Sequence, residues 1–541
     1  MSLSVGDRRW PRARVVLTLM GTCVAVCVTA PIAVLIVDAH SAGWHEIHAV
    51  LFRGRSYALI ANTIALTGLV GVGASIVGTA AAWSLERWAL PLARVWTALL
   101  ILPMAMPDFV VGFAWHSLWP RMPPLAAAAV IMTMLTYPLV LLPVAAALRR
   151  ADPNLEDVAR GLGLGPLAVF TRVTLPTVRT AIGGGALLAA LVVISEYGAF
   201  EAVRFHTLTT EIFAEFQFDP QAATALSIPL VLLGLVAIGA DAAIPRRRAG
   251  FAAQERTRSV PATKGTTRGI HVGVMLAFTS TVIAGVMLPI AVLLYWMHRA
   301  QRTTLPAVVS LGTATEVTFA YSALASAAVL LLATPLAYLS VRYPSRLSAA
   351  LHRWTFVTRA VPGVIVAVSL VYLAINYLFP VYGTSWLVIA AYTVLFFPLG
   401  LVCVYATLAA LPREFGEIAR SLGRGPAIVF VRVTLPLIGP GLLAGFCLVF
   451  VTATTELTST LMLAPAGVKT LATQFWAFQD EGSYGAAAPY ALVIIAVAVV
   501  PGMLLGLWFD RRPQPRQPGA EGPRLADLAR PVASQPAEAA R

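Results

Sequence analysis

Residues Asp157–Pro176, DVARGLGLGPLAVFTRVTLP, return 260 positions later as Glu417–Pro436, EIARSLGRGPAIVFVRVTLP, with 13 of the 20 residues identical. A chain that carries one unit twice folds as two copies of it, so the architecture is read once and doubled. Asp157 to Leu162 reads as a helix with its acid at the start, where it opposes the helix dipole. Gly163 and Gly165 then break it. Pro166 suits the first position of a second helix, expected to end near Leu175 because Pro176 disfavours helix in the residue before it. The product is a short charged elbow.

What surrounds the elbows is apolar. Of 541 residues, 58% are hydrophobic and 12% charged, against about 25% charged in soluble domains. The chain is therefore expected in a membrane. A crossing needs about 20 residues, and twelve runs meet that length. The first, Val15–Val37, is too long for the apolar core of a cleaved signal peptide. Tyr57–Leu85, Val95–Trp119, Pro124–Leu148, Val178–Phe200 and Ala222–Ile244 complete one set of six. Gly273–Trp296, Glu316–Val341, Val357–Phe379, Ser385–Ala410, Leu437–Ala464 and Ala487–Phe509 form the second. Thr79, Ala82, Arg87, Ala105 and Pro107 match Thr334, Ala337, Arg342, Ala360 and Pro362 at an offset of 255, so five residues enter before the second elbow.

The expected divisions are an N-terminal anchor with its first outer loop (1–55) and a first transmembrane domain (56–245). A basic linker (246–272), a seventh span with its loop (273–312), a second transmembrane domain (313–509) and a Pro- and Ala-rich tail (510–541) follow. Of 39 Lys and Arg, only Arg53, Arg55, Arg121, Arg204, Arg299, Arg302 and Lys469 fall on the side away from the elbows. The positive-inside rule puts the elbows, linker and both termini in the cytoplasm. The formal charge of +14 is thus accounted for by topology, without a basic face for nucleic acid. An even number of spans per half makes the copies a parallel repeat about an axis along the membrane normal.

The elbow pattern of an acid, small residues, Gly six positions after the acid and a closing Leu-Pro resembles the cytoplasmic EAA loop of ABC-importer permeases. It is carried by Asp157, Ala159, Gly163, Leu175 and Pro176 in the first copy and by Glu417, Ala419, Gly423, Leu435 and Pro436 in the second. The first copy departs from the pattern in having Asp157 for Glu, with Glu156 beside it. The resemblance implies an all-α integral membrane protein of about twelve transmembrane helices in two parallel six-helix repeats, the type I ABC-importer permease fold. It also implies two cytoplasmic ATPase subunits on the elbows and an extracytoplasmic solute-binding protein, in a bacterial inner membrane. The chain has only two lysines, Lys264 and Lys469, neither in a phosphate-binding G-x-x-x-x-G-K-[ST] loop. ATP is accordingly expected on the partner, with no catalytic residue and no cofactor here.

Glu196 and Glu456, also 260 apart, fall within apolar runs. A carboxylate there is costly, about 2.5 to 3.5 kcal/mol on insertion scales. Two readings stand: lining or gating of a pathway, or holding a broken helix by accepting hydrogen bonds from Ser195, Thr455 or a neighbouring span. Pro103, Pro107 and Pro362 are expected to kink or break their spans, and Gly183–Gly185 and Gly439–Gly441 to allow close helix contact. His40, His45 and His48 with Glu46 lack regular ligand spacing and read as solvated residues rather than a metal site. Cys23, Cys27, Cys403 and Cys447 all lie in apolar runs, where no disulfide framework is expected, and Cys23 and Cys27, which share a helix face, read as small buried hydrophobes.

From Glu456 onward, ELTSTLMLAPAGVKTLATQFW resembles the outer-facing segment of the ferric-iron permease family, in which two six-span halves are fused. Ferric iron is the solute this resemblance implies; thiamine, phosphonate, polyamine and sulfate importers share the plan. A different class, an ion-coupled secondary transporter with Glu196 and Glu456 as proton or cation sites, stays open on the residues alone.

Overall fold

A computed structural model describes residues 11–152, 154–243, 268–300, 305–412, 414–421 and 425–510. The expectations placed on residues 246–267, on Gly423 and on most of the tail lie outside them. Among the described residues every regular element is helical. Among the described residues nine helices are long and apolar enough to cross a membrane. Two further pairs are bent, each counting as one broken span, and with the apolar helix Tyr484–Asp510 the described residues are consistent with about twelve membrane helices.

The bends sit where proline removes a donor and forbids the regular turn. Ala93–Ala105 meets Asp108–Leu118 at 89°, and Arg346–Ala360 meets Gly363–Tyr377 at 103°. Pro107 and Pro362 stand at the starts of the outgoing helices, each in an extended conformation. The third and ninth spans are therefore broken at equivalent points. Such breaks are tolerated at membrane depth only where surrounding protein satisfies the freed groups.

One expectation is corrected at the elbows. The second elbow helix does not end before Pro176 but runs on into the fifth span as Leu167–Ser195, and its counterpart runs as Ala427–Thr454. A wide π turn, Phe170–Thr174 or Phe430–Thr434, precedes each Leu-Pro. The seventh span repeats the device, with a π turn at Ile283–Met287 before Leu288 and Pro289. Shifting the hydrogen bonds from i−4 to i−5 lets a residue without an N–H follow with no break in the helix. A second correction concerns the fifth and eleventh spans, which stop at Ser195 and Thr454. Short helices Gly198–Ala202 and Thr458–Leu463 follow them.

The halves interlock. The first span, Pro11–Ala42, packs on the second half, where Val24 and Val28 join Leu336, Phe397 and Leu401 in one core. Trp354 Nε1 donates to Thr29 Oγ1 at 3.1 Å. Reciprocally, Val286 and Leu293 of the seventh span join Phe109 and Val110 of the first half, and Trp296 Nε1 donates to Ser117 Oγ at 2.8 Å. Small residues set the closest approaches within each half. A Cβ on Gly185 would fall 2.6 Å from Val140 Cα, and one on Gly441 would collide with Thr407 Oγ1.

Candidate functional site

The first elbow is built from its acids outward. Helix Asn154–Gly161 ends when the Gly163 N–H donates to Arg160 O at 2.9 Å and the Leu164 N–H to Ala159 O at 3.2 Å. That closure needs a left-handed residue, and Gly163 supplies it with φ +85°. Nothing lies within 4 Å of a Cβ placed there. Gly163→Val therefore costs backbone strain alone, about 1–2 kcal/mol.

Asp157 is exposed and pairs with Arg160 Nη1 at 2.9 Å, whereas Ala159 is buried. Glu417 is exposed on Glu414–Ser421 and Ala419 half-buried. Leu175 and Leu435, with the exposed Pro176 and Pro436, follow the π turns. The carboxylate that anchors the elbow is Glu156, which the repeat comparison passes over. It is 5% exposed and meets Arg87 Nε at 2.9 Å, while Thr174 Oγ1 donates to it at 3.0 Å. Arg87 and Thr174 recur as Arg342 and Thr434, but Gly416 stands in the place of Glu156. Arg342 donates instead to Leu411 O at 3.2 Å. Glu156→Ala leaves Arg87 buried without its carboxylate, an expected loss of about 3–5 kcal/mol. Thermal unfolding of the purified protein should show it as a clear fall in midpoint, with Asp157→Asn, at an exposed pair worth about 0–1 kcal/mol, near wild type.

At the far ends of these helices, Glu196 and Glu456 sit at the breaks rather than inside spans. Glu196 Oε1 accepts from the Ala199 N–H at 2.7 Å, and its carbonyl from Thr209 Oγ1 at 2.6 Å. Glu456 Oε1 accepts from the Ser459 N–H at 3.0 Å and from Ser459 Oγ at 2.9 Å, and its carbonyl from Thr460 Oγ1 at 2.7 Å. Ser195 and Thr455, the donors expected from sequence, bond back to carbonyls of their own helices. Each carboxylate thus accepts from an amide in the first turn of the short helix that follows.

The two breaks meet at the centre. A Cβ on Gly198 would lie 2.7 Å from Phe109 Cβ and 3.1 Å from Leu457 Cδ2, which places the short helix after the fifth span against both halves. A Cβ on Gly363 would lie 3.2 Å from Glu456 Oε1. Its repeat mate is Asp108, which lies within electrostatic range of Glu196 and Glu456. Beyond the breaks, the Leu208 N–H donates to Thr63 Oγ1 at 3.1 Å and the Leu471 N–H to Thr318 Oγ1 at 2.9 Å. The same bond holds the next helix in both copies.

The family described as binding-protein-dependent transport system inner membrane component matches residues 74–250 and 329–517. Each matched stretch holds one elbow and one carboxylate break. The chain belongs to this family. Among relatives of this inner membrane component is the Fe(3+)-transport system permease protein FbpB 2 of Haemophilus influenzae, 32% identical over 494 residues, covering 90% of this chain and 97% of the relative. The ferric transport system permease protein FbpB of Actinobacillus pleuropneumoniae is 22% identical over 515 residues, 87% of this chain and 74% of the relative. The molybdenum transport system permease protein ModB of Mycobacterium tuberculosis is 28% identical over 233 residues, 39% of this chain and 88% of the relative. This inner membrane component is thus a transport permease in which two permease units are fused. Of the histidines around the end of the first span, His48 stacks on Phe52 at 4.4 Å and meets Trp44 edge-on at 6.1 Å.

Proposed function

We propose that the chain is the translocation subunit of an ATP-driven importer of ferric iron in a bacterial inner membrane, with its termini and elbows in the cytoplasm. Two ATPase subunits hold the two elbows, and a binding protein delivers solute to the opposite face. The observation that carries this reading is that both elbows present exposed apolar residues at helical spacing. Leu155, Val158 and Leu162 are 54%, 61% and 79% exposed, and Phe415 and Ile418, at the positions of Leu155 and Val158, are 47% and 59% exposed. A paired apolar stripe on otherwise polar helices suits two matching partners. Work is done by differential binding: a partner pair with equal affinity for both conformations shifts nothing.

Iron is supported by the two ferric relatives that cover most of this chain, and Asp108, Glu196 and Glu456, which lie within electrostatic range of one another, would suit a cationic solute. Proteoliposomes holding the assembled importer test the solute. Uptake of ferric ion delivered by its binding protein, with no uptake of molybdate or sulfate through their own, is the expected result. The reverse selectivity would move the chain to the oxyanion importers.

A further inference from the structure

The loops beyond the two short helices differ at one telling position. Thr207 and Thr470 begin equivalent helices, Leu208–Phe218 and Leu471–Asp480, each with its threonine in a capping box with the threonine three residues on. Counting back three residues from each gives Arg204 and Gly467. Both are left-handed, with φ +56° and +85°. Gly467 has the residue type that this conformation favours; Arg204 adopts it against the clash of its own Cβ. The Arg204 N–H donates to Glu201 O at 3.0 Å and the Phe205 N–H to Phe200 O at 2.9 Å, the helix-ending pattern in which glycine is the usual choice. A non-glycine residue held in this region is a reason to look for function in its side chain.

That side chain is exposed, as are His206 on the same loop and Lys469 at the equivalent of His206. Among the described residues neither Arg204 nor Lys469 forms an ion pair. Aromatic contact between Tyr197 and Trp476, 5.7 Å between centroids, joins the halves close by. Arg204 and Lys469 thus stand as exposed cations on the face opposite the elbows, with Glu201 in electrostatic range of Arg204 and Asp480 of the second half in range of Glu201.

We propose that Arg204, with Lys469 on the second copy, receives carboxylates of the solute-delivering binding protein, so that this loop reads the charge of its partner. The proposal rests on the face opposite the elbows being extracytoplasmic. Charge complementarity of this kind sets encounter rate and partner choice, and weakens with salt. Keeping arginine where glycine relieves strain then trades stability for recognition.

The experiment uses the assembled complex in nanodiscs and ferric-loaded binding protein, with ATP hydrolysis followed against binding-protein concentration. Arg204→Gly should keep or raise the thermal midpoint, keep hydrolysis in the absence of binding protein, and raise the half-saturating concentration at least tenfold. Arg204→Lys should stay within about threefold of wild type, and 0.5 M salt should bring wild type to the level of the Gly variant. Wild-type half-saturation and salt response in Arg204→Gly would overturn the proposal, as would a fall in maximal rate alone. A wild-type complex that ignores the binding protein on this face would overturn the reading beneath it as well.

Discussion

Val158→Asp combined with Ile418→Asp should abolish capture of the ATPase subunits and bring ATP-driven uptake to background while the protein remains in the membrane at wild-type abundance. Val158 and Ile418 occupy the same place in the two elbows and are more than half exposed, so neither substitution opens a core. Both face water in the isolated chain, where aspartate is welcome. Both would be covered in the complex, where a carboxylate must be desolvated without a partner and costs several kcal/mol. Anchors of this kind are typically worth at least about 2 kcal/mol each, or thirtyfold in affinity, and two such losses leave no stable assembly at cellular concentrations. Co-purification and uptake, with abundance measured alongside, check the result. Retained capture by the double variant would remove the elbows from the interface.

The second large effect concerns the breaks. Glutamine at positions 196 and 456 keeps an Oε1 acceptor for the Ala199 and Ser459 amides and removes the charge. If the carboxylates act on a cationic solute, Glu196→Gln with Glu456→Gln should cut uptake at least tenfold with unchanged abundance and unchanged ATPase capture. Glu456→Leu removes the acceptor as well, orphaning the Ser459 donors at about 1–3 kcal/mol, and should also lower stability. Wild-type uptake in the double Gln variant would confine both residues to holding the short helices in place.

Much of this architecture is legible in the residues because the repeat states it twice. The elbow is readable from its Gly and Pro, and the broken third and ninth spans from Pro107 and Pro362, since these residues constrain the backbone locally whatever surrounds them. What escapes a linear reading depends on partners distant in sequence. Glu156 has no counterpart in the second copy, so the comparison that singles out Asp157 passes over the residue that meets Arg87, 69 positions away. The helix through Pro176 is missed for a different reason: the rule for the residue before proline assumes α geometry, and the preceding turn is π. The exchange of the first and seventh spans between halves is invisible to hydropathy, which gives a span its length but not its neighbour. Arg204 is hidden similarly, because an arginine gives no sign in sequence of a left-handed backbone.

The chain is expected to move solute only when an ATPase pair on its elbows works. Proteoliposomes containing the purified chain, loaded from outside with ferric-bound binding protein, test this directly when ATPase subunits, ATP, and a proton or sodium gradient are supplied separately and together. Uptake that requires ATPase and ATP, and is indifferent to the gradient, is the predicted result. Uptake by the chain alone, driven by the gradient and unchanged by ATP, would instead make Glu196 and Glu456 the coupling sites of a secondary transporter.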